Sequence, residues 1–415
     1  MSDYFDALET RAPEEREAQL LAALPRQVAH AQQASPAFAQ ILAGVDASRI
    51  TTREALARLP VTRKSELFER QKAGRARDVF GGFSTLVRGP QMPRIFASPG
   101  PIYEPDTAAR DYWRVARAMF AAGFRAGDLV HNAFSYHMTP GAFMMESGAH
   151  AVGCTVFPAG VGQTEQQLQA MAELRPNAYS GTPSFLRILI EKAQEAHCDI
   201  SSMRKALTGG EALPPSLRDW FAQQGVTAYQ SYATADLGLI AYETEAREGL
   251  VLDESVILEI VRPGTGDTVP EGEVGEMVVT TFNPHYPLIR FGTGDLSALL
   301  PGRCPTGRTN TRVKGWMGRA DQTTKIRGMF VHPSQVADIA RRFPEVLKAR
   351  LVVSGEMAND TMTLRVETAA AADGLHARIS EAIRDVTKLR GDVVLLQPGT
   401  LPNDGKVIED ARSYK

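Results

Sequence analysis

The sequence predicts an α/β protein with a large N-terminal domain of mostly parallel sheets plus an antiparallel β region, and a small α+β C-terminal domain. The 415 residues exceed the roughly 100 to 200 residues of one ordinary domain. Strand-like and helix-like segments alternate from about residue 110 onwards. Beyond "WMGRADQTTKIRG" the pattern changes again. We therefore predict domains over 1–320 and 321–415, with the linker near Arg319 to Gln322.

The first predicted element is a helix over "PEEREAQLLAALPRQVAHAQQA". The apolar residues of one helical face are Leu20, Leu21, Leu24 and Val28. Pro13 and Pro25 are expected to punctuate this segment, because proline has no backbone N–H to donate inside a helix.

The parallel sheet is predicted from the alternating segments that follow. Their order is helix "TAARDYWRVARAMFAAG", strand "DLVHNAF", helix "GAFMMESGAHAVG", strand "CTVFPAG", helix "TEQQLQAMAELR", strand "NAYSG" and helix "SFLRILIEKAQEA", then the units "KALTGGEALPPSLRDWFAQQG" and "TAYQSYATADLG". Such alternation indicates right-handed βαβ crossovers. Because ligands bind beyond the carboxyl ends of parallel strands, three loops are expected to face one site: Ser180 to Pro183, Thr208 to Glu211, and Tyr232 to Asp236.

The remaining segments predict the antiparallel region and the small domain. "LVLDESVILEIVRP", "EVGEMVVTTF" and "YPLIRFGTGDLSALLPG" are typical of strands and turns. The C-terminal domain is expected to contain a hairpin ("ARLVVSGEMANDTMTLRVET"), a helix ("DGLHARISEAIRDVTKL") and a strand ("DVVLLQPG").

Composition narrows the class of protein. Hydrophobic residues at 43% and charged residues at 23% are ordinary for a globular protein, and a net charge of -2 gives no basic surface for nucleic acid. Cys154, Cys198 and Cys304 are too far apart for a zinc or redox motif, which favours a reducing compartment. The acidic opening segment and the lack of an apolar run of roughly 20 residues predict a cytoplasmic protein with no membrane partner.

Several motifs together resemble the adenylate-forming superfamily, and within it the phenylacetate-CoA ligase family. They are "YPLIRFGTGDLSALLPG", "MGRADQTTKIRGMFVHPSQV", "LPNDGKV", "TGGEALPPSL", "GCTVFPAG" and "YSGTPSF". The resemblance implies that ATP converts an aromatic carboxylic acid to an acyl adenylate, with Mg²⁺, and that CoA then displaces AMP. It also implies a mobile C-terminal domain and a homodimer.

The resemblance assigns roles to four residues near the C-terminal half. Lys406 in "NDGKV" matches the catalytic lysine, although composition alone favours a solvated tail lysine. Asp295 matches the residue that holds the ribose hydroxyls, and its alternative is a turn aspartate. Arg319 matches an arginine that reaches the nucleotide, and Asp321 matches the hinge; either could instead be a solvated linker charge.

Further matches concern the adenine and the magnesium ion. Gly209, Gly210 and Glu211 match a loop that lies against adenine, although a strand-to-helix turn also explains them. Tyr232 matches a tyrosine that packs on adenine, or is an ordinary buried aromatic residue. Asp236 stands where the family has a magnesium-bearing glutamate; its shorter side chain predicts weaker Mg²⁺ binding.

The acyl pocket is expected near two loops. Tyr136 and His137 follow a strand at the place where the family builds this pocket, and Thr182 and Pro183 occupy a comparable position on the neighbouring loop. Each of them could instead be a structural residue.

The phosphate loop is the clearest departure from the family pattern, Ser-Ser-Gly-Thr-Thr-Gly-Lys-Pro. This chain has Ser98-Pro99-Gly100-Pro101-Ile102-Tyr103-Glu104-Pro105. Ser98 and Gly100 are retained as nucleotide-binding candidates, but the threonines and the lysine are missing. Because such loops bind phosphate through N–H groups, hydroxyls and a cation, weaker phosphate binding is expected.

Three functions therefore stay open at this point. An AMP-forming acid-CoA ligase agrees best with the motifs. An adenylating enzyme that uses an acceptor other than CoA is the first alternative. A nucleotide-binding homologue whose altered loop has abolished turnover is the second.

Overall fold

The computed structural model describes residues 3–320, 322, 324–326, 329–355, 361–369 and 374–412. The chain forms two compact units. The first comprises Met1–Leu258, Val279–Phe291 and Leu300–Trp316; the second comprises Glu259–Val278, Gly292–Leu299 and Met317–Lys415. The boundary between residues 320 and 321 stays a prediction.

The helices of the described residues are α1 Pro13–Ala34, α2 Pro36–Ile41, α3 Arg53–Ala57, α4 Lys64–Gly74, α5 Ala116–Ala121, α6 Gly141–Val152, α7 Thr164–Leu174, α8 Pro183–Glu195, α9 Pro215–Gln223, α10 Pro333–Arg341 and α11 Leu375–Thr387. Among these residues, no helix combines the length and the apolar character needed to cross a bilayer.

The strands of the described residues are β1 Thr62–Arg63, β2 Ile95–Ser98, β3 Ile102–Pro105, β4 Leu129–Asn132, β5 Thr155–Phe157, β6 Ala178–Gly181, β7 Lys205–Thr208, β8 Thr227–Thr234, β9 Gly238–Glu243, β10 Leu250–Leu252, β11 Val256–Val261, β12 Gly275–Thr281, β13 Phe291–Ser297, β14 Leu299–Leu300, β15 Arg312–Val313, β16 Thr324–Ile326, β17 Met329–Val331, β18 Val346–Ser354, β19 Thr361–Thr368, β20 Asp392–Leu396 and β21 Ile408–Asp410.

The largest sheet has the order β14-β15-β10-β9-β8-β7-β6-β4-β5. Strands β5, β4, β6, β7 and β8 are parallel, as the alternation predicts, and the sheet becomes antiparallel from β8 to β9. A second sheet has the order β1-β13-β12-β11. It contains β11, β12 and β13 from the segments predicted for the antiparallel region, whereas β10 and β14 from the same segments lie in the largest sheet.

Helices cover both faces of the parallel strands. Successive residues of β6 point to opposite faces, so that Ala178 lies in a core with α5 and α6 while Tyr179 lies in a core with α7, α8 and α9. Both side chains are fully buried. This two-sided burial explains why both faces of the parallel strands carry buried apolar residues.

The first predicted helix is confirmed over its full length as α1, but the expected punctuation at Pro25 and the length of a second helix need correction. Helix α1 continues through Pro25, because the buried face that includes Leu24 and Val28 outweighs the local cost of about 3 kcal/mol for an internal proline. The segment "TAARDYWRVARAMFAAG" is helical only over α5. The Asp111 carboxylate accepts hydrogen bonds from the N–H groups of Val115 and Ala116, at 2.8 and 3.1 Å, and the helix starts only after this turn.

The second unit contains a small sheet of order β20-β19-β18-β21 with α10 and α11. The predicted hairpin is β18 and β19, paired over their length apart from one irregularity. Helix α10 was not among the predicted elements. Its apolar residues Val336 and Ile339 join the buried core of this sheet, which also contains Val353 and Ile383.

Candidate active site

The carboxyl ends of β4 and β6 are joined by the side chain of Asn132. Its Nδ2 donates to the hydroxyl of Tyr136 at 2.8 Å and to the carbonyl of Ala142 at 2.9 Å, and its Oδ1 accepts from Ser180 Oγ at 2.9 Å. Asn132 and Ser180 are fully buried. Because every polar atom at this junction is paired, the loop after β4 starts from a fixed geometry.

Tyr136 connects this loop to helix α6. Its hydroxyl donates to Glu146 Oε2 at 2.7 Å. Burial, and then the hydrogen bond and charge of Glu146, raise the pKa of Tyr136 well above its usual value, so the phenol stays protonated. The ring packs edge-on against Phe143. The predicted acyl-pocket residue is thus one part of a Tyr–Glu–Asn network.

The other predicted acyl-pocket residues differ in exposure. His137 is exposed, and its backbone N–H donates to Ser135 Oγ at 3.1 Å. Thr182 caps α8, accepting from the N–H of Phe185 at 3.3 Å, and Pro183 occupies the first turn of that helix. Thr182 and Pro183 therefore have structural roles in addition to any contact with substrate.

The predicted adenine loop follows β7. Gly210 has φ +76°, a conformation that favours glycine, and a Cβ atom there would lie 3.8 Å from the ring of Phe134 and 3.9 Å from Thr182. The N–H of Gly209 donates to the carbonyl of Gly181 at 3.3 Å. Glu211 is exposed and accepts from the N–H of Ser184 at 3.3 Å. The loops after β6 and β7 are therefore adjacent, as predicted.

The third predicted loop, Tyr232 to Asp236, is mostly strand, so that prediction is wrong. Tyr232 lies in β8 opposite Ala241 of β9, with a register shift immediately after it. Only the short turn that carries Asp236 separates the two strands. The chain forms a β-hairpin here because β8 pairs with β9 as well as with β7.

Asp236 is buried in this turn, with 6% of its surface exposed. Its Oδ2 accepts from Lys64 Nζ, at the start of α4, at 2.8 Å. Its Oδ1 has no hydrogen-bond partner in the described part of the chain. One carboxylate oxygen thus remains available to a hard cation. No group of three or more His, Cys, Asp or Glu side chains suited to a metal was found among the described residues.

The phosphate-loop segment forms a β-hairpin of β2 and β3, in which Ser98 faces Ile102 and Gly100 lies in the turn. Glu104 on β3 is buried, with 2% of its surface exposed. Its Oε2 accepts from the N–H of Ser98 at 3.2 Å, and its Oε1 forms a second, short hydrogen bond with Ser98 Oγ. The side chain that replaces the family's lysine therefore points back into the hairpin.

Helix α4 holds the same hairpin from outside. The buried side chain of Gln71 donates to the carbonyl of Tyr103 and accepts from its N–H, both at 2.8 Å. Arg75 Nη2 donates to the carbonyl of Pro101 at 2.9 Å. These three bonds fix the loop backbone from a second element.

We expect the burial of Glu104 to appear as a pH-dependent stability. Burial, and then the charge of Asp236, raise the pKa of Glu104 from 4.5 to about 8. Between these two pH values the folded protein keeps a proton that the unfolded chain releases, so its free energy of unfolding falls as pH rises. Glu104→Gln removes this titration. The free energy of unfolding of the variant minus that of wild type should increase by at least about 1 kcal/mol when the pH is raised from about 5 to about 9. Urea denaturation at each pH measures both free energies.

Glu69→Gln is the matched control, since Glu69 is exposed on the same helix α4 that holds the hairpin. Its free energy of unfolding relative to wild type measures the effect of replacing an exposed carboxyl group by an amide. If the stability difference between Glu104→Gln and wild type changes with pH no more than the Glu69→Gln difference does, Glu104 is not a buried titrating group.

In the second unit, Asp295 and Arg319 form an ion pair. Asp295 Oδ1 accepts from Arg319 Nη1 at 2.9 Å, and the same nitrogen donates to the carbonyl of Thr293 at 3.3 Å. Asp295 lies in strand β13 rather than in a turn and is 8% exposed, whereas the Arg319 side chain is 54% exposed. A Cβ atom on Gly294 would lie 2.6 Å from the guanidinium, so glycine makes room for this pair.

Lys406 is exposed on the segment before β21. Its N–H donates to Asp404 Oδ1 at 3.1 Å, and Gln322 Nε2 donates to the carbonyl of Gly405 at 3.0 Å. Lys406 also borders a cleft of about 860 Å³ within the second unit. The backbone that carries this exposed ammonium group is thus anchored on both sides. Asp321, the predicted hinge, lies outside the described residues.

Sequence reasoning missed Lys64, Gln71 and Glu146. Each acts through a partner distant in sequence or on a separate element: Lys64 meets Asp236 across 172 residues and Gln71 meets Tyr103 across 32. A lysine and a glutamine on a polar helix give no local signal of these contacts. Glu146 had a weak signal, because it is a carboxylate within a helix, α6, whose residues are mostly apolar.

Comparisons with known proteins agree with this architecture. Residues 108–283 match the family model of AMP-binding enzymes, and residues 328–411 match that of the AMP-binding enzyme C-terminal domain. The chain is 31% identical to a phenylacetate-coenzyme A ligase of Thermus thermophilus, with 96% of both chains covered. It is 30% identical to that of Aromatoleum evansii, covering 91% of this chain and 88% of the relative.

A solved structure is also similar over nearly the whole chain. A crystal structure of 2-hydroxyisobutyryl-CoA ligase, in an open conformation with 2-HIB-AMP and CoA, matches with a TM-score of 0.73 and 26% identity, covering 97% of this chain and 92% of that one. The predicted fold class is therefore confirmed. The similarity to the Thermus and Aromatoleum ligases also confirms the resemblance inferred from the motifs: the chain belongs to the phenylacetate-coenzyme A ligase family of AMP-binding enzymes.

Proposed function

We propose that the protein is an AMP-forming acid-CoA ligase. The carboxylate of the substrate acid attacks the α-phosphorus of ATP, and the bond to pyrophosphate breaks. The thiol sulfur of CoA then attacks the acyl carbon, AMP leaves, and the thiol proton is released. The observation that carries the proposal is the Asp295–Arg319 pair, a buried carboxylate with an exposed guanidinium at the family's ribose-binding position.

The first half-reaction builds negative charge on the phosphates, and preorganised cations supply the largest catalytic contribution to such a step. Lys406 is proposed to provide one cation during adenylate formation. Lys64, paired with Asp236, provides positive charge that the phosphate loop has lost. Asp295 accepts hydrogen bonds from the ribose hydroxyls, and Arg319 contacts the nucleotide.

Mg²⁺ fits the proposal because Asp236 Oδ1 is buried and unpaired among the described residues. Mg²⁺ is usually held by one or two carboxylates together with substrate phosphates. Bound there, it would draw negative charge from the phosphates. Asp236 would hold the ion, and Lys64 keeps the carboxylate oriented through its other oxygen.

Lengthening Asp236 tests this role. Asp236→Glu restores the family's side chain, so half-maximal activity should require several-fold less Mg²⁺. Asp236→Asn should require at least about tenfold more, because a charged ligand is replaced by a neutral one. Both values come from pyrophosphate release titrated with Mg²⁺. Equal Mg²⁺ requirements in all three proteins would contradict the assignment.

The acid is proposed to be aromatic and to bind near Tyr136, His137, Thr182 and Pro183. Gly209, Gly210, Glu211 and Tyr232 are proposed to line the adenine, and Ser98 and Gly100 to approach the phosphates. Asp321 is proposed as the hinge. We also propose that the protein is a homodimer, as the family resemblance implies. Light scattering gives the molar mass in solution that tests this.

A second candidate, a nucleotide-binding homologue without turnover, is favoured by one observation. The turn of the phosphate-loop hairpin contains two prolines without N–H groups, Pro99 and Pro101, and the donors of Ser98 are engaged by Glu104. AMP binding with no acid-dependent pyrophosphate release would support this candidate.

The test is a substrate panel. Pyrophosphate release from ATP and Mg²⁺ is measured with aryl and arylacetic acids, with and without CoA. Amino- and hydroxy-substituted acids are included because Glu146 offers an acceptor beside Tyr136. Acid-dependent release with matching acyl-CoA supports the ligase. Release without thioester indicates another acceptor.

A further inference from the structure

The hydrogen-bond donors of the phosphate loop are engaged by a residue of the same loop. A loop of this kind binds phosphate oxygens through backbone N–H groups and hydroxyls. Ser98 retains both kinds of donor, and both are directed to the carboxyl group of Glu104. Glu104 presents two oxygens on one atom, as a phosphate group presents its oxygens to such donors. The carboxyl group therefore occupies the positions that a phosphate would need.

The surrounding contacts keep Glu104 in this position. Gln71 of α4 and Arg75, the residue directly after α4, hold the backbone on either side of Ile102. The charged and titratable groups around Glu104 come from three elements: Lys64 of α4, Asp236 of the β8–β9 turn, and buried Tyr286 from the segment before β13. Of these, Lys64 attracts and Asp236 repels negative charge at this position.

We propose that Glu104 is an internal substitute for a phosphate oxygen of ATP, and that it must leave Ser98 before the loop can bind the β- and γ-phosphates. This inference rests on the proposed use of ATP. Glu104 is then a residue that sets ATP affinity without contacting the acid or CoA. The Ser98 donors of the loop can bind phosphate, but in this structure Glu104 accepts from them.

The proposal predicts a difference between two nucleotides. ATP carries the β- and γ-phosphates that compete with Glu104, and AMP does not. Glu104→Ala should therefore bind ATP at least about tenfold more tightly, since hydrogen bonds to an ionisable group no longer have to be broken. Its AMP affinity should stay within about twofold of wild type.

The experiment is isothermal titration of the full-length protein with ATP and Mg²⁺, and separately with AMP, in the absence of any acid. Glu104→Gln keeps an acceptor oxygen and should give a smaller gain, so it serves if the alanine variant does not fold. In a Ser98→Ala background, Glu104→Ala should give a clearly smaller gain, because the hydroxyl is absent and only the backbone N–H of residue 98 is released. Glu69→Gln is the control for a surface charge change.

Several results would overturn the proposal. They are unchanged ATP affinity in both Glu104 variants, a parallel change for ATP and AMP, a full gain that persists without the Ser98 hydroxyl, and failure of every variant to bind ATP. Failure of the ligase proposal gives a different result. Wild type would form no acyl-CoA with any acid, while the ATP-selective gain of Glu104→Ala would still be measured.

Discussion

Replacing Lys406 with alanine is expected to slow acyl-adenylate formation at least about a hundredfold, while thioester formation from preformed adenylate stays within a few fold. The exposed side chain of Lys406 extends from a backbone fixed by Asp404 and Gln322, so the variant loses a positioned cation without losing packing. Charge builds between the phosphates only in the first half-reaction. The two half-reactions are measured separately, as pyrophosphate release and as acyl-CoA formation from synthetic adenylate.

Arg341→Ala is the matched control, since Arg341 is an exposed cation that borders the same cleft in the second unit and pairs with Asp338 outside the family motif. It should leave both half-reactions close to wild type. If Lys406→Ala slows both half-reactions equally, the lysine acts in a step that they share, and the assigned role is wrong.

Asp295→Ala is expected to weaken the binding of ATP and AMP alike, by about a hundredfold, because both nucleotides contain the ribose that this carboxylate would hold. The estimate corresponds to the loss of two hydrogen bonds to a charged acceptor. Arg319 also loses the oxygen to which its Nη1 donates. Dissociation constants from titration with each nucleotide check the prediction.

Asp199→Ala provides the comparison for loss of an ion pair. Asp199 accepts from Arg175 at the same 2.9 Å distance, but both side chains are exposed and lie in the other unit. Nucleotide binding should not change in this variant. An Asp295→Ala protein that still binds AMP normally would contradict the ribose assignment. If the same protein binds ATP weakly, Asp295 acts instead on the β- and γ-phosphates, which AMP lacks.

The parallel sheet was predictable because each strand and helix has its own local pattern. Strands β4 to β8 and helices α6 to α9 follow the predicted alternation. The errors occur where contacts distant in sequence override local rules. Helix α1 keeps Pro25 because its apolar face is buried, and β8 extends through Tyr232 because β9 pairs with it. A single local pattern contains neither fact.

The candidate site follows the same division. Motif matches selected Asp295, Arg319 and Lys406 as candidates without any structure, and their roles stay predictions. The pairing of Asp236 with Lys64, and of Glu104 with Ser98, depends on how separate segments pack. The sequence showed that Glu104 replaces a lysine, but not that its carboxyl group turns inward to the serine.

The central claim is that one chain makes an acyl adenylate and then passes the acyl group to CoA. The most direct measurement is a single-turnover experiment with excess enzyme, ATP, Mg²⁺ and an acid selected from the panel, analysed by mass spectrometry before and after CoA is added. We expect acyl adenylate and pyrophosphate before the addition, and acyl-CoA with an equal amount of AMP after it. An adenylate that CoA leaves unchanged, or no adenylate with any acid, would contradict the claim.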